Sequence, residues 1–115
     1  MTPLRIRLDD ATPFTPASPV GAPVGEPLVL TRTALHQELP GQRAVTGFWE
    51  CSPGRFRRQV VEAEYSYIVS GEGSFTPDGG EPIDFREGDA LYFAANTQGT
   101  WEVRSPVRKT YLILG

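Results

Sequence analysis

Histidine and cysteine are almost absent from this chain: His36 and Cys51 are the only representatives of either residue among 115. That scarcity excludes thiolate clusters and poly-imidazole metal centres, and a lone cysteine excludes an intramolecular disulfide. His36, with no second strong donor beside it, is expected at the surface, and Cys51 is expected as a buried structural thiol. No apolar run approaches the roughly 20 residues needed to cross a bilayer. Nor does Met1-Thr2-Pro3-Leu4-Arg5-Ile6 open an apolar signal-peptide core before the prolines begin. A soluble, cytoplasmic protein is the expectation. The net charge of −3 is spread over interspersed acids and bases, which leaves no electrostatic footprint for nucleic acid or an anionic membrane. The local basic cluster does not make a patch, because alternation along a strand sends Arg55 and Arg57 to one face and Arg58 to the other. No helical stripe of useful length is present, and there are no internal repeats.

What is present is proline at one end and short β-type runs after it. Six of the eleven prolines, Pro3, Pro13, Pro16, Pro19, Pro23 and Pro27, lie in residues 1–27. Proline lacks a backbone donor and biases its predecessor to extended geometry, so this segment reads as an arm rather than a sheet interior. Within it Leu4, Ile6 and Leu8 alternate with Arg5 and Arg7, the period of a short edge strand in the same or another subunit; a partly disordered tail is the alternative. Residues 28–115 form the expected domain, which at this length buries about two thirds of the surface its unfolded chain exposes. Strands are predicted over Leu28–Leu35, Val45–Cys51, Ala90–Phe93, Gly99–Arg104 and Val107–Leu114. One hairpin is predicted from Phe56–Val61 with Tyr65–Ser70, and another from Ser74–Thr76 with Ile83–Phe85 around Pro77-Asp78-Gly79-Gly80. Ala90–Phe93 and the return through Trp101 and Val103 resemble a further hairpin. Gly88-Asp89 is expected to order a turn. Many short strands with turns at close intervals give an all-β sandwich or barrel.

The stretch from Gly54 to Gly71 and its answer from Gly88 to Val103 carry a resemblance to the cupin superfamily, and more narrowly to the short bacterial cupins of the ureidoglycine aminohydrolase and EutQ-like group. The narrower resemblance rests on Trp49-Glu50-Cys51-Ser52-Pro53-Gly54, Gly88-Asp89-Ala90, Gly99-Thr100-Trp101-Glu102-Val103 and Pro106-Val107-Arg108-Lys109, and it covers roughly Ala44 to Leu114. It implies a double-stranded β-helix, the jelly-roll barrel of the RmlC-like cupins. In that superfamily the first motif ends His-x-His, three or four residues, Glu, six residues, Gly; Glu64 and Gly71 keep the last spacing. Counting four residues back from Glu64 puts the histidine positions on Arg57 and Gln59. In the second motif, Ala94, Asn96, Gly99 and Val103 stand where Pro, Gly, His and Asn would be. With the histidines missing, the resemblance implies neither a metal nor any cofactor, and it speaks against the metal-dependent chemistries of relatives.

Alternation from Glu64 places Ser66, Ile68 and Ser70 on one face. Aligned through the resemblance, the barrel interior then holds the candidate ligand-binding residues Arg57, Gln59, Glu64, Ser66 and Trp101, with Ile68 beside them, Arg55 nearer the mouth and Tyr92 a further candidate. An arginine facing Glu64 can serve as its counter-ion in place of a metal, or Arg57 and Gln59 can offer donors to a small polar or anionic ligand against the wall of Trp101. The functional expectation is a metal-free cupin that binds a small metabolite. The alternatives are an enzyme using Glu64 as general acid or base on an unknown small molecule, with no catalytic residue otherwise assignable, and a non-catalytic dimeric scaffold. A homodimer is expected under each, since an extended arm and open sheet edges invite pairing.

Overall fold

Runs of alternating apolar and polar residues build eight antiparallel strands in the computed structural model, which describes residues 2–115 and holds no helix among them. The strands are β1 (Ser18–Pro19), β2 (Leu30–Glu38), β3 (Ala44–Cys51), β4 (Gly54–Val60), β5 (Ala63–Pro77), β6 (Ile83–Arg86), β7 (Ala90–Phe93) and β8 (Thr97–Leu114). The architecture is the expected jelly roll, and β5 and β8 organise it. They pair along their whole lengths, from Ala63 opposite Leu114 to Pro77 opposite Gly99. At one end β3 flanks β8 and β7 flanks β5. At the other end β4 flanks β8 and β6 flanks β5. The same two strands therefore run through both sheets.

To do so they must turn a corner, and the register shifts three times between Ile68 and Gly73. Gly71 sits at that corner with φ +92°, and a Cβ there would strike the carbonyl oxygen of Pro106. Only glycine combines that left-handed backbone with so close an approach of a neighbouring strand. The corner also accommodates Pro106 inside β8, at the irregular part of the ladder where a missing donor is tolerated.

Sharing β5 and β8 between sheets overturns two of the expected hairpins. Phe56–Val61 does not pair with Tyr65–Ser70: β4 pairs with β8. Ala90–Phe93 pairs with Glu64–Tyr67 of β5, not with Gly99–Val103. In each case the short connection carries the chain from one sheet to the other instead of folding it back on its neighbour. The hairpin of Ser74–Phe75 with Ile83–Asp84 does form, closed through Gly79 at φ +74°. Asp89 orders its turn by accepting the Arg86 N–H at 2.9 Å.

The arm lies on the barrel. Residues 2–17 form no strand, so the Leu4-Ile6-Leu8 alternation is not used as one in this protomer. Further on, β1 pairs with β2, and Val24 N–H and Arg57 N–H exchange bonds with Arg55 and Ala22 carbonyls at 2.9 and 2.8 Å. These bonds cap the edge of β4 that β8 leaves free, which shields it from pairing with another chain. Between the sheets the core gathers Val29, Cys51, Phe56, Ile68, Phe75, Phe85, Phe93, Trp101, Val103 and Val107, all buried. Trp101 stands at its centre, stacked on Phe56 with centroids 6.3 Å apart and met edge-on by Phe75 and Phe85 at 5.4 Å.

Candidate functional site

The inward faces of β2, β3, β4, β5 and β8 enclose a cavity of about 400 Å³. Its floor and walls are aromatic and aliphatic: Trp49, Phe56, Val60, Trp101 and Ile113. Its polar groups are few. Thr31 and Thr33 come from β2, Arg58 from β4, Glu64 from β5, and Lys109 and Tyr111 from β8, with His36 at the end of β2.

Glu64 and Lys109 are the buried heart of the site. Lys109 Nζ donates to Glu64 Oε2 at 2.7 Å, Ser66 Oγ donates to the same oxygen at 2.7 Å, and both charged side chains are only 7% exposed. The ammonium also rests against ring faces, 4.7 Å from the centroid of Trp49, 5.0 Å from Trp101 and 5.8 Å from Phe93. Cation–π attraction there replaces part of the lost hydration. Burial pushes the Glu64 carboxyl up, but the ammonium and the hydrogen bonds from Lys109 and Ser66 outweigh it and hold the group below the ordinary carboxylate value. Burial pulls Lys109 below the ordinary lysine value even with Glu64 opposite.

Several expected site residues lie elsewhere. Arg57 points away from the cavity and forms a two-pronged pair with Asp78, at 2.6 and 2.7 Å, plus a bond to Thr100 at 3.1 Å. Gln59 shares its exposed outer face. Arg55 lies outside too, near Glu102, and Tyr92 is 66% exposed. Ser66 and Ile68 are fully buried behind the cavity, where Ser66 acts on it only by holding Glu64. Of the expected set, Glu64 and Trp101 line the cavity. The reason for the displacement is a single step of alternation. The ladder pairs Phe56 with Trp101 and Arg58 with Gly99, so Phe56, Arg58 and Val60 face inward and Arg57 and Gln59 outward. The motif spacing in this chain is thus three residues before Glu64, which puts the two histidine positions on Arg58 and Val60.

Besides Arg58 and His36, which strand alternation and the lone-histidine argument leave outside the cavity, the sequence reading misses Lys109. It lies on the same parity as Trp101 and Val103 in one continuous strand, so alternation pointed to it. Dividing that strand at Pro106 hid the relation. The counter-ion expected of Arg57 is supplied by Lys109 instead.

These groups do not fit a metal ion. The three histidine positions of the motifs hold a guanidinium, an isopropyl group and, at Gly99, no side chain; a Cβ at Gly99 would lie 2.6 Å from the Phe75 ring. The one carboxylate of the motifs is already bonded to an ammonium. Among the described residues no three His, Cys, Asp or Glu side chains gather at one place.

Arg58 differs from the cations around it. Among the described residues it joins no ion pair, whereas Arg32, Arg55, Arg57, Arg104, Arg108 and Lys109 all do. It is exposed, which places it at the rim, and its charge acts on both Glu64 and Lys109. With Lys109 neutralised by Glu64, the cavity carries one uncompensated positive charge.

Comparison with known proteins agrees with this architecture. A family model described as the EutQ-like cupin domain matches residues 38–111. A protein of unknown function from Pseudomonas syringae pv. tomato superposes with a TM-score of 0.78 at 23% identity, over 92% of this chain and 46% of its own. This chain therefore spans just under half the length of that protein. The EutQ protein of Clostridium difficile superposes with a TM-score of 0.64 at 18% identity, covering 76% of this chain and 68% of its own. A DUF861 family protein from Thermotoga maritima reaches 30% identity and a TM-score of 0.54 over 56% of this chain and 73% of its own. No curated protein matches significantly. Since the matched model covers well over half of the residues and the barrel is the one that family implies, the chain belongs to the EutQ-like cupin family.

Proposed function

We propose that this cupin binds a small carboxylate in its barrel, with the Arg58 guanidinium as the recognising group and the Trp49, Phe56 and Trp101 rings as the apolar wall. One observation carries the reading: an aromatic-lined cavity of about 400 Å³ whose single unpaired charge among the described residues is the arginine at its rim. That volume lies within the range of small-ligand sites, which are mostly apolar with a few polar groups that fix orientation. A guanidinium offers a planar fork that fits a carboxylate through two parallel bonds. The buried pair beneath contributes form rather than charge, because Glu64 and Lys109 cancel.

The pairing also weighs against Glu64 as a general base. Its carboxyl is held below the usual range and both its partners are donors at 2.7 Å, so it has little appetite for a further proton. The test is thermal shift and calorimetry with a panel of small carboxylates on wild type, Arg58→Ala and Arg57→Ala. A ligand at a hundred times its Kd raises stability by about 2.7 kcal/mol. Wild type and Arg57→Ala should show such a shift and Arg58→Ala should not. Retention of the shift in Arg58→Ala, or its absence from wild type across the panel, refutes the reading.

A further inference from the structure

His36 reaches the cavity only because its strand breaks step. Thr31 pairs with Cys51 and Thr33 with Trp49, an alternation that would turn residue 36 outward. Between Ala34 and Gln37 the register shifts, so that Leu35 and His36 together stand opposite Gly47. Leu35 takes φ 56°, a left-handed backbone that a bulky side chain adopts rarely and only when its surroundings impose it. A bulge of this kind adds one residue to a strand and re-aims the side chain beside it.

What the bulge aims is held in place. His36 Nδ1 lies 2.7 Å from the Tyr111 hydroxyl, and the two rings meet with centroids 6.0 Å apart. Gly47 makes the arrangement fit, since a Cβ there would be 2.5 Å from the Tyr111 hydroxyl oxygen. The burial of Tyr111, together with the charge of Glu64, pushes its phenol up to about 12, so it stays a neutral hydroxyl able to donate. With Nδ1 engaged by Tyr111, the other ring nitrogen, Nε2, is left for a ligand. Against an anion the favoured tautomer has Tyr111 donating to Nδ1 and Nε2 carrying the proton. The cavity rim then bears two groups suited to carboxylates: the Arg58 fork from β4 and the His36 Nε2–H from β2.

We propose that His36, held by Tyr111, is the second anchor of this cavity, and that its ligand is a short-chain dicarboxylate bridging Arg58 and His36. The proposal rests on the carboxylate-binding reading and adds to it the second charged end of the ligand. A left-handed leucine in the bulge turns a histidine held by Tyr111 into a cavity that also bears an unpaired guanidinium, and two such groups on one cavity suit a ligand with two anionic ends.

The experiment is isothermal titration calorimetry with succinate and glutarate against the length-matched monocarboxylates butyrate and valerate. Wild type should bind at least one dicarboxylate about tenfold tighter than its monocarboxylate match, a difference of about 1.4 kcal/mol. His36→Leu, which removes the donor, should bring the dicarboxylate-to-monocarboxylate affinity ratio down to about one. Tyr111→Phe should lose part of the preference, and Arg58→Ala should lose both ligand types. Because His36 is exposed, its variant is expected to fold, which far-ultraviolet circular dichroism checks. If wild type binds both classes equally, or His36→Leu keeps the preference, the second anchor is refuted while carboxylate binding at Arg58 stands. If wild type binds neither class, both proposals fall.

Discussion

Removing Lys109 should be among the most damaging single changes to this barrel, and it should reverse the response of stability to acid. Lys109→Met leaves the Glu64 carboxylate buried with only the Ser66 hydroxyl and the more distant Arg58 to support it. Deleting one partner of a buried ion pair costs about 3–5 kcal/mol, against a total stability of about 5–15 kcal/mol for a domain. At this chain length that corresponds to a fall in Tm of roughly 10–25 °C. Wild-type Glu64 has its folded pKa below the ordinary value, so its stabilisation is present above about pH 4.5 and is lost as pH falls through the folded value. Without Lys109, burial pushes the same carboxyl up, the folded state takes a proton more readily than the unfolded chain, and this group's contribution improves as pH falls toward 4.5. Melting curves at intervals from pH 7 to pH 4 should therefore show wild type losing Tm at the acid end while the gap to Lys109→Met narrows. Glu64→Gln should be similarly costly at pH 7, because it strands an ammonium. Combining it with Lys109→Met should cost less than the sum of the two, since each loss largely contains the other. A Lys109→Met variant within about 1 kcal/mol of wild type at pH 7, or with the same acid slope, would mean that the pair is not desolvated as described.

Other positions make equally direct predictions. Gly71→Ala places a Cβ against the Pro106 carbonyl at φ +92°, so urea denaturation should show a loss of at least about 2 kcal/mol; a loss below half of that would mean the corner does not need glycine. Gly99→Ala meets the backbone carbonyl of Thr76 and, at 2.6 Å, the Phe75 ring, and should cost at least about 1–3 kcal/mol, with a shift in tryptophan fluorescence as Phe75 moves against Trp101. An unchanged melting temperature and spectrum would show that both the ring and the Thr76 strand have room to give. Deleting residues 1–27 strips the bonds that Ala22 and Val24 make to β4. Light scattering should then report a larger mass through pairing of the bared edge, and an unchanged mass would show that this edge is protected in another way.

Much of this was legible in the order of residues, because it depends on neighbours along the chain. Alternation and turn chemistry mark the strands, the Gly79 hairpin and the Asp89 turn, and the Glu64-to-Gly71 spacing marks a cupin. The inward place of Trp101 follows once the resemblance aligns its strand with that of Glu64. Which way a strand faces is different, because that depends on pairing with strands far away in sequence. The same seven residues of β4 turn Arg57 or Arg58 inward according to a one-residue choice that only the ladder to β8 decides. Lys109 became the partner of Glu64 once β8 ran unbroken through Pro106, which a corner shared with Gly71 permits. His36 entered the cavity through a bulge at a leucine, a residue whose identity gives no sign of left-handed backbone. Local chemistry thus determined that a histidine-poor β-barrel would form around an acid. The long-range pairing of β5 and β8 decided which base would neutralise it and which would remain free, because side-chain direction in a sheet is inherited from the partner strand.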